Sequence, residues 1–138
     1  MPLVTWYKKY SVKNEELDDQ HKKLFDVFNR LYDCCLKAEN NDCIYPVIDE
    51  LIEYTEYHFT AEERYMLEKG YKGIEEHKQL HRYFTDKVMN MQQVEDKNDY
   101  LYKRELIIFL GNWILKHITV EDKKYANAIE YQKKARLL

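Results

Sequence analysis

A chain of 138 residues has room for one domain with a substantial core and not for two. With 22 Lys and Arg against 25 Asp and Glu, its net charge of −3 gives no basis for a nucleic-acid or membrane partner. Three glycines and two prolines suit long helices with short connections and argue against a sandwich or barrel rich in turns.

Residues 1–17 carry Trp6, Tyr7 and Tyr10 without a helical period, which predicts an arm lying across the domain and anchored by its aromatic rings. The first residues lack a basic region followed by an apolar run, and no segment offers the roughly eighteen uninterrupted apolar residues of a membrane span. A cytoplasmic protein is expected. From Asp18 the pattern changes to His21, Leu24, Phe25, Phe28, Leu31, Tyr32 and Cys35, which predicts a first helix over 18–39 with Asp18 or Asp19 as its cap.

Asn40, Asn41 and Asp42 signal a turn and cap, and Pro46 is tolerable because it falls near the start of the next helix. This second helix, over 41–69, carries Ile48, Leu51, Thr55, His58, Glu62 and Tyr65 on one stripe and is stopped by Gly70. A third, over 74–93, repeats Ile74, His77, His81, Phe84, Val88 and Met91. After a polar turn, a fourth over 99–117 carries Tyr102, Leu106, Phe109, Leu110, Trp113 and His117. Thr119 followed by Asp122 resembles a restart, so a short terminal helix is expected over 119–133. The fold class this predicts is all-α: an up-down-up-down four-helix bundle forming a single domain over 1–138.

Cys34, Cys35 and Cys43 are an odd number without zinc-type spacing. Reduced thiols on or beside a helix are expected here, not a disulfide framework; a redox role for the adjacent Cys34 and Cys35 is the sharper alternative.

In such a bundle the first and third helices begin at the end where the second and fourth finish. His21, His58, His77, His81 and His117 then converge on one end of the core, together with Glu62. A lone histidine on an apolar stripe is more often a packed core residue than a ligand. The set is different, because five imidazoles and a carboxylate on core stripes, with no basic side chain there, would cost several kcal/mol per group unless paired. A cation is the economical partner. Asp122 could add a second carboxylate, but it lies five residues after His117, where a regular helix turns it away; its participation requires a break or restart near Thr119. The donor set exceeds a four-ligand zinc site, no His-Glu-x-x-His motif is present, and two octahedral ions sharing carboxylate bridges would use every donor. Spacing leaves the element open.

The chain resembles the hemerythrins, and among them the single-domain bacterial ones, through Leu17-Asp18-Asp19-Gln20-His21, His58-Phe59-Thr60-Ala61-Glu62-Glu63, Glu76-His77 with His81, and Trp113 with His117-Ile118-Thr119-Val120-Glu121-Asp122-Lys123-Lys124-Tyr125. The resemblance implies a non-haem diiron centre (Fe2+/Fe3+) with an oxo or hydroxo bridge from solvent. His77, His81 and His117 would hold one iron, His21 and His58 the other, and Glu62 and Asp122 would bridge them. It further implies reversible dioxygen binding, for carriage, storage or sensing, at the open position of the two-histidine iron. Small anions such as azide would occupy the same position. Leu24, Phe59, Trp113, Ile114, Ile118 and Tyr125 would line the oxygen pocket.

A monomer that is not an enzyme is expected, with an oxygen-consuming protein as a conceivable partner. The alternative is a diiron enzyme acting on oxygen, peroxide or nitric oxide; an iron store is a third reading, disfavoured by the histidine-rich donor set. Two positions depart from the family pattern: Lys13, near which members usually have glycine, and Lys72, near which proline is common.

Overall fold

A computed structural model of the chain describes residues 2–36 and 42–136. After a 3-10 turn at Lys8–Tyr10 come α1 (Glu15–Leu36), α2 (Ile44–Glu68), α3 (Ile74–Gln92) and α4 (Tyr100–Lys116). A π-helical segment, His117–Glu121, then joins α4 to α5 (Asp122–Arg136). Among the described residues there is no strand, and no helix is long and apolar enough to cross a membrane. α1 packs on α2 and α4, and α2 on α3, giving the four-helix bundle.

The helix ends explain most differences from the sequence-based bounds. α1 starts at Glu15 because Asn14 is the cap, its Oδ1 accepting from the Leu17 N–H at 3.0 Å. Asp18, expected as a cap, instead accepts from the Ser11 hydroxyl at 2.6 Å and the Val12 N–H at 2.9 Å, tying the arm to α1. Residues 37–39 of the expected first helix and the Asn40-Asn41 turn lie outside the described residues. α2 is capped at Cys43 without a side-chain bond. It ends in paired bonds from Gly70 N–H to Leu67 O and Tyr71 N–H to Met66 O, with Gly70 at φ +67°. This left-handed cap suits glycine. The terminal helix begins at Asp122 and runs to Arg136, because the chain passes from α4 through a π-turn without breaking.

The cysteines correct an expectation. Cys34 and Cys43 form a disulfide, leaving Cys35 as the free thiol. The chain reverses between α1 and α2 and brings their Cα atoms to 6.1 Å, within bridging reach. Burial pushes the Cys35 thiol up to about 11.

The main core gathers Phe25, Phe28, Leu31, Leu51, Phe84, Leu106 and Leu110 between the helices. Gly111 lets the Phe28 ring pack close against α4, since a Cβ there would stand 3.2 Å from it. A second apolar cluster of Val12, Leu17, Met66, Tyr125, Ala126 and Ile129 closes the other end. As expected of an arm, Trp6 and Tyr10 pack against the main core, while Tyr7 stays exposed.

Candidate metal centre

Helical period carries the site residues to one buried layer. His58 and Glu62 stand one turn apart on α2, and His77 and His81 one turn apart on α3, so each pair shares a face. His21 reaches the same layer from α1. His117 and Asp122 reach it through the π-turn, where the Asp122 N–H bonds back to the His117 carbonyl. This wider turn returns residues five apart to one side, so Asp122 faces the same layer without a helix break. The Thr119 hydroxyl donates to the Leu115 carbonyl at 2.6 Å beside it.

The donors form two groups, each with its donor atoms within 4.8 Å of one another: Glu62, His77, His81 and His117, and His21, His58, Glu62 and Asp122. Each carboxylate faces both groups with different oxygens. Glu62 Oε1 lies 3.0 Å from His77 Nε2, 2.9 Å from His81 Nε2 and 3.4 Å from His117 Nε2. Its Oε2 lies 3.3 Å from the Nε2 atoms of both His21 and His58. Asp122 Oδ1 is 2.9 Å from His77 Nε2 and 3.0 Å from His117 Nε2, and its Oδ2 is 3.0 Å from His21 Nε2.

These spacings suit a metal. Donors at right angles around an ion with bonds of about 2.1 Å stand about 3.0 Å apart. The nitrogens His81 Nε2 and His117 Nε2 approach to 3.1 Å, a contact of two acceptors unless a proton or a cation lies between them. His58 Nε2 and both Asp122 oxygens are buried with no geometrically sound hydrogen bond among the described residues. Leaving such groups unpaired is costly, and an ion satisfies them together. The donor set therefore fits a metal.

Outer partners orient the rings. His58 Nδ1–H donates to Gln20 Oε1 at 2.6 Å, and His81 Nδ1–H donates to Glu63 Oε2 at 2.7 Å. Either bond leaves the Nε2 lone pair aimed at the centre. The Tyr125 hydroxyl donates to Glu62 Oε2 at 3.1 Å. Sequence reasoning missed Gln20 and Glu63 in these roles. Each adjoins a donor in the chain, but neighbours on a helix point about 100° apart, so each serves a histidine of the adjacent helix, and only the helix order reveals it.

The metal-free charges balance internally. Burial pushes His21 and His77 down, but Asp122 and Glu62 outweigh it and raise them to about 9 and about 10. His117 is raised in the same way against its burial, whereas burial holds His58 down. Burial alone would raise Glu62 and Asp122; the surrounding histidines overcome it and hold both below the usual carboxylate range.

The expected pocket set is divided. Leu24, Phe59, Ile114 and Ile118 are buried in the main core, with Trp113 packed against them. Phe59 stacks flat on His81 at 3.9 Å and Trp113 on His117 at 4.2 Å. Tyr125 lies apart in the second cluster, with its ring 5.6 Å from that of His77. Its polar end serves Glu62 rather than an apolar wall.

Residues 12–129 match the family model described as the hemerythrin HHE cation binding domain. A bacteriohemerythrin of Clostridium acetobutylicum is 34% identical over 129 residues, covering 89% of this chain and 98% of that protein. One from Methylococcus capsulatus is 30% identical, covering 91% and 95%. A crystal structure of wild-type hemerythrin aligns with a TM-score of 0.78 at 30% identity, over 92% of this chain and 98% of that one. With a family match over most of its length and a buried His, Glu and Asp cluster able to hold metal, the chain belongs to the hemerythrin family.

Proposed function

We propose that the chain binds dioxygen reversibly at two iron ions. His77, His81 and His117 hold one, His21 and His58 the other, and Glu62 and Asp122 are shared. The observation that carries this reading is that each carboxylate turns one oxygen to each group of histidines. The iron pair, when bound, supplies the electrons that capture oxygen and recovers them on release.

The chain's own residues do the rest. His21 and His58 would leave one ion with a position for dioxygen, and the buried apolar side chains Leu24, Phe59, Ile114 and Ile118 would keep water from the centre. Excluding water and protons slows loss of the bound molecule as peroxide. The apolar lining offers no acid to cleave it, which favours binding over turnover. Gln20 and Glu63 fix the ring orientations of His58 and His81. Tyr125 holds the shared Glu62 carboxylate by its Oε2, the oxygen that faces His21 and His58. The relatives' shared name, bacteriohemerythrin, supports a binding protein rather than an enzyme. A cytoplasmic monomer, delivering oxygen to a consuming protein, completes the reading.

The test is to reduce the iron-loaded protein anaerobically, admit oxygen, and follow the visible spectrum with a peroxide assay. An adduct that disappears on degassing and re-forms on re-oxygenation supports binding. Steady oxygen consumption with reductant would assign the chain to the diiron enzymes instead.

A further inference from the structure

His21, His58, Glu62 and Asp122 have no exposed surface, so an ion cannot reach them directly. His77, His81 and His117 keep 2 to 3% of theirs, which puts the accessible side of the centre at the start of α3 and the π-turn. Two surface cavities lie there. One, of about 310 Å³, is lined by Glu76, His77, Leu80, Glu121 and Lys124 among others. The other, of about 200 Å³, is lined by Leu80, Trp113, Lys116, His117 and Glu121 among others. They share Leu80 and Glu121, and each is backed by a donor histidine.

The two cavities differ in charge. The first sets Glu76 and Glu121 against Lys124 alone; the second sets Glu121 against Lys116. Lys124 holds Glu121 Oε2 at 2.9 Å but is 58% exposed, so it can yield that carboxylate to a divalent ion at small cost. Behind the first cavity, His77 Nε2 stands 2.9 Å from Asp122 Oδ1 and 3.0 Å from Glu62 Oε1. Behind the second, His117 is buried with no hydrogen-bond partner for Nδ1 among the described residues. Carboxylates at a mouth attract a divalent cation and do nothing for an uncharged gas, and the donor histidine behind them gives the ion a ligand to pass to.

We propose that divalent metal ions load into the centre through the cavity between the start of α3 and the π-turn: Glu76 and Glu121 collect the ion, Leu80 walls the passage, and His77 receives it first. This rests on the reading that the seven buried donors hold metal.

The experiment mixes metal-free protein anaerobically with ferrous ion, and separately with cobalt(II), in a stopped-flow instrument at low ionic strength. E76Q/E121Q should slow uptake by at least about fivefold, flatten its salt dependence and leave the final metal content at the unaltered protein's level. L80W should slow it as well by narrowing the passage. E53Q/E56Q, on the outer face of α2, should leave the rate unchanged. Circular dichroism establishes that each variant is folded. Equal rates in E76Q/E121Q and the unaltered protein would overturn the route, and so would equal slowing in E53Q/E56Q. No uptake by the unaltered protein would overturn the metal-centre reading, and the route with it.

Discussion

Asp122 follows His117 by five residues, yet its Oδ1 lies 3.0 Å from His117 Nε2. The π-turn His117–Glu121 makes this possible by absorbing one residue more than a regular turn. Deleting Val120 would put the pair four apart, the spacing of His58 and Glu62, and a regular helix would still keep both on one face. The deletion is expected to retain metal. Inserting an alanine after Val120 should rotate Asp122 away and cost at least one ion per chain. Metal analysis of both proteins checks this, and equal loss in the two would contradict it.

Gln20 and Glu63 bear on affinity through the rings they hold. Q20L removes the acceptor for His58 Nδ1–H and should weaken the ion of the two-histidine group by about 10- to 100-fold. E63L should weaken the three-histidine ion comparably, whereas E63Q keeps an acceptor and should recover most of the loss. Competition titrations with a chelator measure each. Equal effects of E63L and E63Q would mean that the bond to His81 is irrelevant.

Proton release follows from the raised histidines. His21 at about 9 and His77 at about 10 carry protons at neutral pH in the metal-free protein, and metal must displace them. Metal affinity should therefore fall as pH falls, and release should fade as pH rises through 9 to 10. The sign for folding of the metal-free protein is the opposite. Raised pKa values stabilise the metal-free fold fully below the ordinary histidine value near 6.5, and that contribution is lost as pH rises through 9 to 10. Calorimetry in two buffers of different ionisation enthalpy reads the released protons, with about two per chain expected near pH 7. None would contradict the charge balance.

The bridge between Cys34 and Cys43 closes a loop with a sequence separation of 9. A loop of that length is worth about 2 to 3 kcal/mol. Reduction, or C43S, should lower stability to denaturant by that much and leave the metal content unchanged. Thiol counting with and without reductant establishes the pairing; three free thiols under both conditions would refute it.

Lys13 has φ +62°, the left-handed region where glycine is at ease. K13G should stabilise the protein by about 0.5 to 1 kcal/mol. A thermal melt that moves downward would contradict this.

Much of this architecture is legible in the sequence. The three- and four-residue steps from His21 to Leu31 and from Ile74 to Met91 locate the helices, and helix order brings the five histidines to one layer. What escaped depends on distance in space. The Cys34–Cys43 pairing needs the path of the chain reversal. The partnerships of Gln20 with His58 and Glu63 with His81 join different helices. Asp18 looks like a cap because acidic residues favour helix starts, but Asn14 lies closer to the first free N–H groups and leaves Asp18 to hold the arm. Tyr125 reads as an apolar wall from its ring, and only its hydroxyl position shows that it serves Glu62.

An anaerobic titration of the metal-free protein with ferrous ion, for the native chain and for E62A, tests the shared centre most directly. Two ions per native chain, with loss of most binding at both positions in E62A, is the expected result. A single ion per native chain, or full retention of two in E62A, would contradict a centre in which Glu62 joins both.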